Sequence, residues 1–136
     1  MRRRFGLNFV SLVAVLFVSG CANTLPDQDR RITEAHPVEK ISVNYLWKQY
    51  QADAKAADRK YWGKAVDVTG KVTSVESSAP QRVMFELQAP NGIEARLLDD
   101  QAAAIVEAAV VSERITLRCY CAGLSGNVIL KSCIKP

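Results

Sequence analysis

The apolar pattern of the chain changes period at Gly63, and that change constrains the fold more than any other feature. Upstream, Val43, Leu46, Trp47, Tyr50, Ala54, Ala57 and Tyr61 recur at spacings of three and four, so they share one face of a helix. Ser42 can cap its start, Gly63 can end it, and Asp53, Lys55, Asp58 and Arg59 point elsewhere. Tyr45, Trp47, Tyr50, Tyr61 and Trp62 give this helix an aromatic stripe, read as a docking surface against the rest of the fold. Downstream, the residues alternate. Ala65 to Glu76 reads as a long strand with Val66, Val68 and Val72 on one face and a bend at Gly70. Arg82 to Gln88 and Ile93 to Leu98 alternate through Val83, Phe85 and Leu87, then Ile93, Ala95 and Leu97, about a Pro90-Asn91-Gly92 turn. Asp99 or Asp100 caps a short Ala-rich helix over Gln101 to Val110. Arg114 to Cys121 and Val128 to Ile134 close the domain as a hairpin around Gly123 to Asn127.

One packed helix, three strands, a short helix and two strands predict a mainly β fold with α: a five-stranded OB-fold Greek-key barrel with a helix between strands three and four. Particular residues add to this order. Leu46, Tyr50, Ala57, Tyr61, Gly63-Lys64, Val68 and Gly70-Lys71-Val72, followed by Ile115-Thr116-Leu117, Cys121, Gly123, Leu130 and Cys133, resemble the OB-fold lipoprotein family, also described as tRNA-anticodon-binding-like. The resemblance spans about residues 42 to 136 and implies an exported small barrel without a defined molecular activity. The family pattern tends to have Gly two positions before its first cysteine, where this chain has Cys119.

The N-terminus supports export independently. Met1-Arg2-Arg3-Arg4 leads into an apolar stretch from Phe5 to Val18 and then Ser19-Gly20-Cys21. Those 14 apolar-region residues would rise about 21 Å as a helix, short of the ~30 Å hydrocarbon core, which favours a removed signal peptide over residues 1–20. Val18, Ser19, Gly20 and Cys21 resemble a bacterial lipobox, which implies lipidation of Cys21 and a mature chain starting there. Two or more acyl chains anchor a protein stably, so Cys21 is the expected membrane anchor. Ala22, where Asp would mark inner-membrane retention, resembles lipoproteins of the outer membrane, so the domain is expected to face the periplasm. Residues 21–40, with Pro26, Pro37 and the sole histidine His36, read as a flexible tether, and residues 41–136 as the barrel domain. The formal charge of +4 mostly belongs to the signal: without Arg2, Arg3 and Arg4 the balance is 15 basic to 14 acidic side chains, or +1. It gives no support to polyanion binding.

Cys21 aside, three cysteines remain in an oxidising compartment. A hairpin turn centred near Asn127 sets Cys121 opposite Cys133, closing a loop of 13 residues and stabilising the domain by roughly 3 kcal/mol. A turn centre one residue earlier would pair Cys119 with Cys133 instead. No fourth ligand accompanies the three cysteines, so no metal is expected.

No nucleophile elbow, zinc-protease, phosphate-loop or dinucleotide-binding motif appears, and no histidine follows Lys40, which excludes Ser-His and Cys-His pairs there. Asp99 and Asp100 read as helix-capping residues. A non-enzymatic domain without a cofactor is therefore expected. OB-folds often bind oligonucleotides or oligosaccharides on strands two and three and adjoining loops, which here carry Arg82, Glu86, Arg96, residues 76–81 and residues 122–127. Arg118 and Tyr120 form the one aromatic-basic pair. The surface mixes signs and lacks stacking aromatics. The leading expectation is an adaptor for an envelope protein or glycan; a nucleic-acid-binding barrel is the alternative.

Overall fold

The computed structural model describes residues 25–87 and 92–136. The expected signal peptide, the lipidation site Cys21 and the Pro90-Asn91 corner lie outside the described residues. A 3-10 turn, Arg30–Glu34, precedes β1 (Lys40–Ser42), α1 (Val43–Ala52), α2 (Ala54–Tyr61) and β2 (Ala65–Glu76). Then come β3 (Arg82–Phe85), β4 (Ile93–Leu97), α3 (Asp99–Ala108), β5 (Arg114–Ser125) and β6 (Asn127–Ile134).

β2 pairs antiparallel with β3 and β3 with β4; β4 runs parallel to β6; β6 pairs antiparallel with β5, which returns antiparallel to β2. This closes a five-stranded OB-fold barrel with α3 at the expected place in the order. The alternating residues fill it: Val66, Val68, Val83, Phe85, Ile93, Leu117 and Leu130 are buried in one core with Val43, Leu46, Trp47 and Tyr50 of α1. Gly70 permits that docking, because a Cβ there would lie 2.5 Å from a Val43 methyl and 2.8 Å from the Phe85 ring. β1 adds a short parallel strand beside β2, with Ile41 opposite Val68.

Three expectations require correction. The single helix ending at Gly63 is two helices, broken at Asp53. The extended Asp53 backbone gives its N–H to the Gln49 carbonyl, closing α1, while its side chain accepts the Ala56 N–H at 3.1 Å, opening α2. The side chain thus offers the backbone an alternative to continuing the helix. Second, Leu98 rather than Asp99 or Asp100 is the N-cap residue of α3, and it makes no side-chain cap bond. The Asp99 N–H is instead taken by Gln28 Oε1 at 2.9 Å, from the N-terminal segment.

The third correction concerns the cysteines. Cys119, not Cys121, is bonded to Cys133. The hairpin turns at Gly126, one residue before the expected centre, with Ser125 paired to Asn127. Register irregularities lie between Cys121 and Leu124 and between Arg118 and Tyr120. They leave Cys121 opposite Leu130, while Arg118 faces Ile134 and the Cys119 and Cys133 Cα atoms lie 4.2 Å apart. Two left-handed positions accompany these irregularities: Gly123 at φ +85° and Ser132 at φ +55°. A pairing derived from uniform alternation misses such shifts.

Candidate functional site

The segment expected to be a flexible tether is docked from Leu25 onward. Asp29 caps the 3-10 turn, whose Ile32 is fully buried against Ala65, Leu98 and Ile134. Ser132 Oγ ties the strap down, donating to the Asp27 carbonyl at 3.1 Å and accepting the Asp29 N–H at 2.8 Å. Gln28 Nε2 donates to the Leu97 carbonyl at 3.2 Å. A polar composition suggests a tether, but here its polar groups bond to Ser132, the Leu97 carbonyl and the Asp99 N–H while Ile32 supplies the apolar anchor.

This strap lies beside the face expected to bind ligands. Arg82 and Arg96 stand opposite each other across β3 and β4 and both donate to Glu94 Oε1, at 2.9 and 3.0 Å. Glu94 is only 6% exposed. Burial alone would raise its carboxyl, but the hydrogen bonds and charges of Arg96 and Arg82 outweigh that and hold it below the ordinary glutamate value. Asp27 of the strap approaches Lys131 Nζ at 2.9 Å and Arg96 at 3.7 Å. The Lys131 hydrogen bond is the main cause of its lowered carboxyl pKa.

Arg118 and Tyr120 do not combine into a binding platform. Arg118 forks onto Asp67, with Nε 2.7 Å from Oδ1 and Nη2 3.0 Å from Oδ2, and its Nη1 donates to the Ala35 carbonyl at 3.3 Å. Tyr120 packs against the Ile32 cluster. All four expected surface residues therefore hold strands or strap in place. Their strand positions were legible; their partners were not, because Glu94 and Asp67 meet them only through strand register, and Asp27, Ala35 and Ile32 come from a stretch without apolar periodicity.

The outer side of the β2–β5 pair, where the Arg118–Asp67 fork also lies, leaves two other cations free of such partners among the described residues. A cleft of about 500 Å³ is lined by Lys40, Ile41, Ser42, Asp67, Thr69, Arg114, Thr116, Arg118 and Pro136. A second, of about 240 Å³, shares Ser42, Thr69 and Arg114 and extends over Asn44, Lys71 and Glu86. The register builds both: Asp67, Thr69 and Lys71 on β2 stand opposite Arg118, Thr116 and Arg114 on β5. The Thr69 and Thr116 hydroxyls are 2.7 Å apart, and Lys71 pairs with Glu86 at 3.0 Å. Among the described residues, neither Lys40 nor Arg114 has a carboxylate within salt-bridge distance. Hydroxyls beside unmatched cations suit an acidic, hydrogen-bonding ligand. The sequence reading puts Lys40 at the end of the expected tether and Arg114 at the start of a strand; β1 beside β2 is what brings them to one cleft.

The remaining thiol offers no comparable chemistry. Cys121 is buried, with Sγ 3.2 Å from the Tyr50 hydroxyl, and burial pushes its pKa up despite that contact. A protonated, buried thiol is not a poised nucleophile. Among the described residues, no group of three His, Cys, Asp or Glu side chains could hold a metal ion.

The closed barrel and its inserted helix define a small OB-fold domain. The tRNA_anti-like family model matches residues 1–134, and the chain belongs to that family. The fold is similar to the crystal structure of a presumed nucleic acid-binding lipoprotein from Klebsiella pneumoniae subsp. pneumoniae MGH 78578. The TM-score is 0.57 at 16% identity, covering 81% of this chain and 98% of that chain, a likeness of fold alone. No curated protein matches the chain.

Proposed function

We propose that the protein is an envelope lipoprotein anchored through Cys21, most simply in the outer membrane with its barrel toward the periplasm, and that the barrel is a non-enzymatic adaptor. Its ligand is an acidic, hydroxyl- or amide-bearing segment of another envelope component, a protein or a glycan. One observation carries the ligand chemistry: among the described residues, Lys40 and Arg114 lack carboxylate partners beside the Thr69–Thr116 hydroxyl pair. The lipobox, and a fold like that of a lipoprotein, support the compartment.

The test uses purified full-length protein incubated with detergent-solubilised envelope. The expected result is one discrete component, identified by mass spectrometry or glycan analysis, retained by the wild type and lost with Lys40→Glu/Arg114→Glu. Retention of the same component by the double variant contradicts the cleft assignment. Release of Cys21→Ala from membranes tests the anchor separately.

A second reading, nucleic-acid binding, is favoured by the description of the Klebsiella pneumoniae protein. Phosphate contacts through Arg114 and Lys40 would make oligonucleotide affinity fall steeply with salt. The adaptor reading expects no such binding, because the clefts have no exposed aromatic row on which bases could stack.

A further inference from the structure

We propose that the pole of the barrel around Leu25 rests directly on the phospholipid surface. This rests on the reading of Cys21 as the lipid anchor. The strap is docked from Leu25, so only Ala22, Asn23 and Thr24 separate the anchor from the folded domain. Four extended peptide steps reach about 14 Å, much less than a tether running to residue 40 would allow. The Leu25 end of the barrel is therefore kept within reach of the headgroups, where its own side chains can bind them.

The side chains there fit that place. Leu25 lies between two shallow clefts whose linings set Trp62 and Ile129 beside the charged Glu94, Arg96 and Lys131, and Pro26 and Tyr120 beside the charged Asp29 and Arg31. Trp62 and Tyr120 are partly exposed, and Leu124 near the β5–β6 turn is 41% exposed. Amphipathic aromatics with an apolar body and a polar tip favour the boundary between headgroups and acyl chains.

Charge favours the same surface. Asp27 and Asp29 are paired with Lys131 and Arg31 within the strap face, and Asp58 accepts the Tyr50 hydroxyl at 2.9 Å. Next to Gly63, Lys64 and Arg59 have no carboxylate partner among the described residues; Lys64 Nζ lies 3.4 Å from the Arg59 carbonyl. These two cations can meet anionic headgroups within a Debye length of the bilayer. Arg114 itself lies further along β5, six residues from Tyr120, so the Arg114 end of its cleft stands away from the Leu25 pole.

The experiment reconstitutes the full-length lipidated protein in phosphatidylethanolamine and phosphatidylglycerol vesicles whose acyl chains carry bromine near the headgroup. Trp47 is only 8% exposed, so Trp62 is the accessible reporter. The expected result is about a two-fold loss of tryptophan emission, as for an interfacial indole. The loss should be absent in Trp62→Phe and weakened in Leu25→Asp/Leu124→Asp, with both variants still floating with vesicles. A flexible Gly-Ser insertion after Thr24 should preserve the quenching if the pole itself binds lipid. Wild-type protein that floats without quenching, or quenching abolished by the insertion, overturns the docking proposal. Protein that never floats overturns the anchor reading instead.

Discussion

The outer face beside the strap and the Arg114 cleft are both rich in charge, yet they are built in opposite ways. At the strap, Glu94 receives Arg82 and Arg96, while Asp27 receives Lys131. At the cleft, Arg114 and Lys40 line open space next to two threonine hydroxyls. Charge satisfied internally holds structure together; charge left without a partner is available to a ligand. The expected binding residues Arg82, Arg96 and Arg118 belong to the first kind, which sequence composition does not distinguish from the second.

The comparison can be broken most strongly at the links that hold the tied region in register. Cys133→Ala is expected to lower stability by about 3 kcal/mol through loss of the Cys119 bond. Urea denaturation with and without reductant should show the variant insensitive to reductant. Cys121→Ala should keep the wild-type response, and a Cys121→Ala variant insensitive to reductant would restore the pairing of Cys121. Ile32→Ala, which empties a fully buried site under the strap, should cost about 2 kcal/mol and speed proteolysis within residues 25–37. If the strap is a loose tether, cleavage there is already fast in the wild type. Gln28→Ala removes the acceptor at the start of α3 and should cost about 1 kcal/mol, read by thermal denaturation.

Smaller effects sharpen the electrostatic contrast. Because Arg82 and Arg96 lower the carboxyl pKa of Glu94 in the folded state, its contribution is complete above the unfolded glutamate range and is lost as pH falls through the folded value. Glu94→Gln should therefore flatten the acid limb of stability against pH while leaving two buried-side arginine contacts weakened at neutral pH. Arg114→Ala should change stability by less than about 0.5 kcal/mol, because no carboxylate among the described residues depends on it. A large loss would place Arg114 among the structural charges.

Much of the barrel was legible because alternation in β2, β3, β4 and β5 directly records which side chains fill it. Val66, Val83, Ile93 and Leu117 are buried where the period of two requires. What the sequence hid depends on contacts between distant segments or on single extra residues. Gln28 caps a helix starting at Asp99, Ile32 reaches Ile134, and register shifts near Gly123 and Ser132 exchange one cysteine for another. The cleft was hidden for the same reason. Lys40 and Arg114 are 74 positions apart, and the three-residue strand β1 that unites their elements is too short to carry a period.

The most direct test places a photo-crosslinking side chain at position 114 or at position 96 of the full-length protein in intact cells. The account predicts one identified envelope component captured from position 114, lost when Lys40 is changed to Glu, and no comparable capture from position 96. Capture of that component from position 96 alone would contradict it and return the binding surface to the face beside the strap.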